Sequence, residues 1–266
     1  MTRFELRGAR ALVTGATGGI GQAIARALAA EGVELVLSGR RLDVLKPLAK
    51  ELGATAIAAE LSDLDDVNRL LDEAGDIDIL VANAALPSSG NVLEYTPEQI
   101  ARSITVNLHA PILMARAAAL AMTSRNRGHI VMIGSVSGIT PSVASSLYNA
   151  AKFGVRGFTL GFRQDLDGTG VGISLVEPGF VRDAGMFAES GGKLPKGVRT
   201  VTPEDVARGV VNAITKDRAE TVVAPFELRV GAKFGSVFPA FNAKVQKMGG
   251  GDKVAGSIVE GQRDKR

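Results

Sequence analysis

The sequence has no cysteine and no tryptophan, and only two histidines and two tyrosines occur among its 266 residues. Without cysteine the chain forms no disulfide and no thiolate-ligated zinc or iron–sulfur site, and it has no thiol nucleophile. Two histidines leave little material for a histidine-based metal centre, so we expect no metal. With aromatic residues at 5%, the core must consist mainly of Ala, Val, Leu and Ile. A chain without cysteine is compatible with a reducing compartment, and we expect a cytoplasmic protein.

Charge and hydropathy exclude further classes of protein. The formal net charge is only +3, and the chain lacks a dense basic stripe with interleaved aromatic residues, so we expect no nucleic-acid partner. The N-terminal segment is charged and has no apolar stretch before a small-residue cleavage site, so we expect no signal peptide. The longest charge-free run, residues 128–151, is interrupted by Gly134, Gly138 and Pro141. We therefore do not expect this run to span a membrane.

Strand-like and helix-like patterns alternate along the chain. Apolar runs near residues 11–14, 34–38, 55–59, 77–82, 129–134, 171–176 and 221–224 predict strands. Helices are predicted near 19–31, 42–52, 64–73, 97–123, 147–166 and 203–216, with Thr202 as the N-cap before Pro203. This alternation is typical of an α/β fold with a Rossmann-like, doubly wound parallel sheet of about seven strands, covered by helices on both faces. We expect a single domain over residues 1–225, with residues 226–266 as an extension.

A glycine-rich loop lies between the first strand and the first helix and reads Thr14-Gly-Ala-Thr-Gly-Gly-Ile-Gly21. Glycines let the backbone N–H groups and the helix N-terminus approach a pyrophosphate closely. The spacing is not the common G-x-G-x-x-G, and a tight strand–helix turn needs glycine in any case. The position after the first strand of a βαβ unit nevertheless favours a dinucleotide-binding loop.

The second strand ends in Ser38-Gly39-Arg40-Arg41. An acidic residue here would accept hydrogen bonds from the ribose 2′-hydroxyl of NAD, whereas arginine suits the 2′-phosphate of NADP. The alternative is a pair of solvated arginines before the next helix. We expect NADP(H) to be preferred over NAD(H).

Three polar residues carry the strongest catalytic pattern. Ser135 directly follows a strand, at the carboxyl edge of the sheet where ligands of such folds bind. Tyr148 and Lys152 are four residues apart near the start of a helix and so share one face. A nearby ammonium group lowers the pKa of a phenol, which predicts that Tyr148 acts as general acid or base on a carbonyl or alcohol oxygen. Ser135 would hold the same oxygen in place.

Over residues 5–225 the chain resembles the short-chain dehydrogenase/reductase family. The residues that match are the glycine-rich loop, Asn83-Ala-Ala85, Asn107, Ser135, Tyr148-Asn-Ala-Ala-Lys152 and Pro178-Gly179. The resemblance implies that Asn107, Ser135, Tyr148 and Lys152 form a catalytic tetrad, with Asn107 supporting a water-linked proton path to Lys152. It also implies a set of cofactor-binding residues in an NADP-binding catalytic domain: Gly15, Thr17, Gly19, Ile20, Gly21, Arg40, Arg41, Glu60, Leu61, Asn83, Ala84, Ala85, Tyr148, Lys152, Pro178, Gly179 and Val181.

Three positions depart from the family pattern. Ala85 replaces the usual glycine, and we expect its methyl group to be tolerated. Glu60 stands at the end of the third strand where an aspartate is usual. Asp183 occupies the position of a threonine that bonds the nicotinamide carboxamide, and this leaves that contact in question.

The resemblance implies an NADP(H)-dependent oxidoreductase that interconverts a carbonyl and an alcohol; the alternative is a catalytically silent dinucleotide-binding regulator on the same fold. Residues 180–200 contain Gly185, Gly191, Gly192 and Gly197 and predict a mobile lid. Apolar lid residues (Met186, Phe187 and Leu194) favour an apolar small-molecule substrate. By family habit we expect a homodimer or homotetramer that uses the helices carrying Asn107 and Tyr148.

The extension after Ala224 has a helical apolar stripe. Its members, spaced mostly three and four residues apart, are Val230, Phe234, Val237, Phe238, Phe241, Val245 and Met248. Basic residues lie largely on the other faces, and Pro239 predicts two short helices or a kink. The stripe could cover the substrate pocket, contact another subunit, or lie on an anionic membrane surface. Contacts with protein are favoured over peripheral membrane contact.

Overall fold

The structure, a computed structural model, describes residues 4–191, 199–248 and 251–262. Its strands are β1 (Arg10–Val13), β2 (Glu34–Gly39), β3 (Thr55–Ala58), β4 (Ile79–Ala82), β5 (Gly128–Ile133), β6 (Val171–Pro178) and β7 (Glu220–Val223). Its helices are α1 (Gly19–Ala30), α2 (Leu42–Leu52), α3 (Leu64–Ala74), α4 (Pro97–Ile104), α5 (Ala110–Ser124), α6 (Ser146–Asp165), α7 (Gly185–Glu189), α8 (Pro203–Thr215), α9 (Phe226–Val237), α10 (Pro239–Met248) and α11 (Gly251–Gln262).

The strands form one parallel sheet in the order β3-β2-β1-β4-β5-β6-β7. The chain reverses its direction of winding between β1 and β4, and in such sheets the carboxyl ends of the strands at this point form the ligand crevice. The predicted doubly wound α/β fold with helices on both faces is confirmed. The residues that follow β1, β4, β5 and β6 are therefore brought to one edge.

The two faces of the sheet are covered by different helices. Val13 points into a core with residues of α1, α2 and α8, including Ile24 and Val210. Leu12 points the opposite way, into a core with residues of α3, α5 and α6, including Met114. Because both faces are buried, the strands are almost uniformly apolar, as the sequence pattern indicates.

Several helix starts follow directly from the local sequence. Thr202 is the predicted N-cap of α8, and it forms a capping box with Asp205. Thr96 forms the same box with Gln99 at the start of α4. Asp63 caps α3 and is followed by acidic residues in the first turn, which explains this acidic cluster as a helix start. Within the described ranges, no group of three metal-ligating side chains occurs.

The helix predicted over residues 97–123 is present but not uniform. A π-helical turn, Thr105–His109, separates α4 from α5 and carries Asn107. By length and composition alone, the run Pro97–Ser124 is apolar enough to cross a membrane. However, Met114 and Met122 are fully buried in the core beneath the sheet, so it serves as a core helix here.

Where the structure describes it, the extension forms three helices, α9, α10 and α11. The break predicted at Pro239 is confirmed, because α9 ends at Val237 and α10 begins at Pro239. The sequence pattern does not predict α11, because this stretch is rich in glycine and has little apolar periodicity. Asn242 on α10 donates to Thr140 Oγ1 at 3.0 Å, and Gln246 donates to the Pro141 carbonyl at 2.9 Å. These bonds tie the extension to the loop before α6.

Candidate active site

The loop between β1 and α1 is shaped by close backbone approaches. Gly15 has a φ of 65°, and an added Cβ would lie 2.7 Å from Ala84 Cα. Gly19 and Gly21 are similarly restricted, because a Cβ on either would overlap with Ala184 or with the Gly15 carbonyl. The N-cap of α1, Gly18, has no side-chain cap, so no side-chain oxygen competes for the first N–H groups of this helix. This arrangement fits a phosphate group.

Asn83 and Ala84 at the end of β4 brace this loop. The Asn83 amide donates to the carbonyls of Thr14 (3.0 Å) and Gly15 (3.3 Å). In return, Thr14 Oγ1 accepts hydrogen bonds from the backbone N–H groups of Asn83 and Ala84. Ala85 lies at the wall of the main cavity, where its methyl group occupies the space that the usual glycine leaves free. The two predicted cofactor elements therefore form one rigid unit.

The predicted nucleotide-discriminating residues lie near the ends of β2 and β3. Arg40 is exposed and donates to Glu60 Oε2 at 3.4 Å, while Arg41 donates to the Thr17 carbonyl at 3.0 Å. Glu60 also accepts a hydrogen bond from the backbone of Ser62 at 3.1 Å. Leu61 is buried in the core. Both arginines and Glu60 are thus placed where the sequence predicted, but Arg40 and Glu60 pair with each other.

Ser135, Tyr148 and Lys152 are brought together at the carboxyl end of β5. Ser135 starts a short 3₁₀ turn, in which its Oγ accepts from the Ser137 N–H at 3.1 Å. Gly138 ends that turn, and an added Cβ would lie 2.7 Å from the Lys152 carbonyl oxygen. The glycine therefore lets the turn pack directly on α6. Lys152 Nζ donates to the Ile133 carbonyl at 2.8 Å and lies 5.7 Å from the centroid of the Tyr148 ring.

Burial is the largest influence on the pKa values of Tyr148 and Lys152. It raises the pKa of Tyr148 to about 12, although the hydrogen bond with Ser135 acts in the opposite direction. It lowers the pKa of Lys152 to about 8. The prediction that Lys152 brings the pKa of Tyr148 toward neutrality is wrong in this structure. Lys152 is itself buried, so its ammonium form is disfavoured, and the pKa of Tyr148 is set by burial and by the hydrogen bond with Ser135.

The side chain of Asn107 is buried and bonds the segment that follows β4. Its amide donates to the Leu86 carbonyl at 3.0 Å and to Ser88 Oγ at 3.2 Å, and its oxygen accepts from the Leu86 N–H at 2.8 Å. Asn107 does not line the main cavity. Its side chain fixes the segment that follows β4, and a proton path from the π-helical backbone to Lys152 stays a prediction.

A cavity of about 470 Å³ opens beside these residues. The predicted site residues that line it are Ile20, Asn83, Ala85, Ser135, Tyr148, Lys152, Pro178, Gly179 and Val181. The lid segment contributes Met186 and Phe187, while its predicted members Gly192, Leu194 and Gly197 lie outside the described residues. Val181 also pairs with Val201 in an isolated bridge, which fixes the start of this segment.

Asp183 does not take the place of the expected threonine. Its φ is 65°, its side chain is 73% exposed, and it pairs with Arg182 at 3.4 Å. It does not line the cavity. This exposed side chain therefore does not reach the cavity where the contact in question would be made.

Sequence reasoning missed the part of the cavity wall that comes from the extension. Leu228 and Ala232 of α9, Asn242 and Gln246 of α10 and, from α11, Gln262 all line it. Gln262 is buried and donates to the Met186 carbonyl at 3.1 Å, which connects α11 with α7. No periodic signal marks these residues, because all except Leu228 are polar or small members of short helices.

Comparison with known proteins identifies the family to which this site belongs. The family model described as short chain dehydrogenase matches residues 9–194. The chain belongs to the short chain dehydrogenase family. It is an oxidoreductase that acts on CH–OH or C=O groups with NAD(P). The glycine loop and the uncapped start of α1 fit the phosphates of that cofactor, with Asn83 and Ala84 supporting the loop.

Two enzymes named for their reactions are among the relatives that this short chain dehydrogenase resembles in sequence. It is 36% identical over 229 residues to the ketoacyl reductase HetN of Nostoc, covering 82% of this chain and 79% of that protein. It is also 36% identical over 216 residues to the NADP-dependent 3-hydroxy acid dehydrogenase YdfG of Salmonella typhi, covering 75% and 86%.

Solved structures support the same family assignment. BdcA in complex with NADPH superposes with a TM-score of 0.71 at 30% identity, covering 81% of this chain and 93% of that one. A putative betaketoacyl-ACP reductase gives a TM-score of 0.75 at 28% identity, covering 84% of this chain and all of the other.

Proposed function

We propose that this enzyme reduces a 3-oxoacyl compound with an apolar chain to the 3-hydroxy product, with NADPH as the hydride donor. The observation that carries the proposal is the grouping of Ser135, Tyr148 and Lys152 at the wall of one cavity. When bound, the nicotinamide cofactor supplies the hydride for the carbonyl carbon.

The chain's own residues supply orientation and a proton. The hydroxyl of Ser135 donates a hydrogen bond to the substrate oxygen and holds it beside Tyr148. Because the pKa of Tyr148 is raised to about 12, the phenol is protonated at neutral pH, which is the form that donates a proton to the developing alkoxide. The ammonium of Lys152 then stabilises the phenolate that remains. These protonation states are the ones that the reduction of a carbonyl uses.

Arg40 supports the preference for NADPH over NADH. It stands exposed at the end of β2 beside Arg41, and no acidic residue occupies the strand end itself. A 2′-phosphate would replace or share the long 3.4 Å contact of Arg40 with Glu60. Two relatives point the same way, since YdfG is named NADP-dependent and BdcA was solved with NADPH.

The substrate class rests on the relatives and on the cavity wall. HetN is named a ketoacyl reductase, YdfG a 3-hydroxy acid dehydrogenase, and one structural neighbour a putative betaketoacyl-ACP reductase. Beyond the polar catalytic cluster, the cavity wall is mainly apolar and includes Val143, Phe187 and Leu228, although Asn242 and Gln246 also line it. Such a wall accommodates an acyl chain better than a charged or sugar-like group.

A direct assay tests this proposal. NADPH oxidation is followed with 3-oxoacyl thioesters of increasing chain length, and with simple ketones, aldehydes and quinones for comparison. The Tyr148→Phe variant should lose at least about 10²-fold in kcat, because it keeps the ring but has no proton to donate. Tyr95→Phe is the matched control, since Tyr95 bonds the Ser89 carbonyl and lies outside the catalytic cluster. Turnover of Tyr148→Phe close to that of Tyr95→Phe would contradict the assigned role.

We also propose that the enzyme is a homo-oligomer that uses the exposed faces of α5 and α6. Gly157 and Gly161 lie four residues apart on α6 with open space at their Cβ positions, and Phe153 on the same helix is 41% exposed. Leu120 on α5 is 59% exposed. Small residues beside exposed apolar ones let two helices pack closely. Light scattering on Gly161→Glu should show a smaller particle than the unmodified enzyme.

A further inference from the structure

The apolar stripe of the extension is exposed to solvent. We define the apolar patch as Phe226, Val230, Phe234, Val237, Phe238, Phe241, Val245 and Met248, whose exposed fractions range from 48% to 88%. The ring of Phe234 lies 4.8 Å from that of Phe238 and 5.7 Å from that of Phe241, measured between centroids. The patch is therefore continuous across the break between α9 and α10. Contiguous apolar surfaces of this kind mark sites of interaction.

The patch faces away from the cavity. The residues that line the cavity from α9 and α10, such as Leu228, Ala232 and Gln246, belong to the opposite sides of these helices. The bonds of Asn242 to Thr140 and of Gln246 to Pro141 fix that orientation. Of the alternatives that the sequence left open, covering the pocket is thus wrong for the stripe itself. None of the described residues covers the patch, so a partner beyond them is required to bury it.

The charged residues around the patch are predominantly basic. Arg229, Lys233, Lys244 and Lys247 are all exposed, and none forms an ion pair within the described part of the chain. The acidic residue of the two helices, Glu227, is paired with Arg199 at 2.7 Å. Arg229, Lys233 and Lys244 lie three or four positions from patch residues and so flank the apolar surface, and Lys247 directly precedes Met248.

This charge pattern distinguishes between a second copy and a lipid surface. Pairing two patches across a two-fold axis would bring basic flanks toward each other, and like charges at an interface are unfavourable. An anionic lipid surface instead attracts the lysines and the arginine near the headgroups. The aromatic and aliphatic side chains then enter the headgroup–acyl boundary, as in interfacial amphipathic helices. We propose that the apolar patch docks this enzyme on an anionic membrane surface.

Docking would place the cavity next to the bilayer. The same two helices carry the patch on one side and a wall of the cavity on the other. An apolar carbonyl substrate dissolved in the membrane would then reach the site without crossing bulk water. This consequence rests on the proposed function, whereas the docking itself rests only on the patch and its charges.

Vesicle co-sedimentation of the full chain tests the docking without any assay of activity. Vesicles of phosphatidylcholine with about one third phosphatidylglycerol are compared with pure phosphatidylcholine at about 0.1 M salt. The protein should bind the anionic vesicles at least about tenfold more strongly, and binding should fall at about 0.5 M salt because of screening. Failure of the full chain to bind anionic vesicles at about 0.1 M salt would overturn the proposal.

Two variants separate the apolar and the charged contributions. Phe234→Ser/Phe241→Ser and Lys244→Glu/Lys247→Glu should each weaken binding at least about tenfold. Their matched controls are Leu93→Ser, an apolar residue 88% exposed elsewhere, and Lys46→Glu/Lys50→Glu on α2. Circular dichroism checks that each variant is folded, which the exposure of the substituted side chains predicts. If the patch variants bind vesicles as well as the controls, or instead dissociate the enzyme into smaller particles, a lipid surface is not the occupant.

Discussion

At the scale of single residues, burial determines the protonation of the catalytic pair. Lys152 is 4% exposed and has a carbonyl as its hydrogen-bond partner, and no acidic group among the described residues compensates its charge. Its pKa therefore falls to about 8. The phenol of Tyr148 is buried beside it and its pKa rises to about 12. The two pKa values move apart, from 10.0 for the phenol and 10.5 for the lysine, so just below pH 8 the phenol keeps its proton while Lys152 is still largely charged.

The lowered pKa of Lys152 gives a pH profile. Below about pH 8 the lysine is charged and stabilises the phenolate that forms as Tyr148 donates its proton. Above that pH it is neutral, so kcat/KM for reduction should fall about tenfold per pH unit. Initial rates between about pH 6 and 10 at fixed NADPH would show this decrease as the alkaline limb of the pH profile. A Lys152→Met variant should be much slower and should lack the limb, whereas a flat profile in the unmodified enzyme would contradict the role of Lys152.

Arg40 gives a prediction about the choice of cofactor. Loss of a charge-assisted bond to the 2′-phosphate costs roughly 1.5–3 kcal/mol, so Arg40→Ala should weaken NADPH binding about ten- to a hundredfold. The affinity for NADH, which lacks that phosphate, should change little. Fluorescence titration with both nucleotides measures the effect, and Arg26→Ala, which removes an arginine paired with Glu51, serves as the control. Equal losses for both nucleotides would instead indicate that Arg40 has a structural role.

At the scale of elements, the glycine loop depends on space as much as on backbone angle. Gly15 and Gly53 have nearly the same φ, 65° and 62°, but only Gly15 is crowded. Gly53 ends α2 and has nothing within 4 Å of its Cβ position. Comparing Gly15 with Gly53 therefore distinguishes the cost of a left-handed backbone from the cost of a steric clash at the cofactor site.

The two glycines should respond differently to substitution by alanine. Gly53→Ala should lower the free energy of unfolding by about 1–2 kcal/mol, the cost of the left-handed conformation alone. Gly15→Ala adds a clash with Ala84 and should lose more stability, together with most of the affinity for NADPH. Chemical denaturation and nucleotide titration of both variants provide the comparison. Similar stability and similar nucleotide affinity in the two variants would show that the close approach to Ala84 is unimportant.

At the scale of the whole molecule, Arg156 of α6 lies between two carboxyl groups, one on each of the last two strands, and one of these groups is buried. Glu177 on β6 is fully buried, and neither oxygen has a hydrogen-bond partner within the described residues. Arg156 of α6 lies 3.8 Å away and is bound more closely to Glu220 of β7, at 2.7 Å. Burial, and the charge of Glu220 in addition, raise the pKa of Glu177 to about 8.

This raised pKa makes stability depend on pH. Between its ordinary value of 4.5 and about 8, the folded protein retains a proton on Glu177 that the unfolded chain releases. The free energy of unfolding should therefore decrease as pH rises through this range. Glu177→Gln, which mimics the neutral form, should be more stable than the unmodified protein at pH 7.5, by on the order of 1–3 kcal/mol. Urea unfolding at pH 5 and 7.5 measures this, with Glu34→Gln as the exposed control; an unchanged pH dependence in Glu177→Gln would exclude the effect.

Much of the fold and of the catalytic cluster could be predicted from the sequence, because the relevant signals are local. Uniform apolar runs specify strands buried on both faces, and the Thr202–Pro203 start specifies a helix. The four-residue step from Tyr148 to Lys152 specifies a shared helix face, and the position of Ser135 after β5 specifies the carboxyl edge of the sheet. Each of these conclusions depends only on neighbours along the chain and on the geometry of regular elements.

Tertiary structure alone decided the remaining features. Burial, which depends on all surrounding elements, raised the pKa of Tyr148 where the sequence predicted a lowered one. The pairing of Arg40 with Glu60 required β2 and β3 to lie side by side. The contributions of Asn242 and Gln262 to the cavity, and the outward orientation of the apolar patch, required the docking of α9, α10 and α11 on the body of the protein. Periodicity identifies an apolar face but cannot say what covers it, because that depends on contacts between residues distant along the chain.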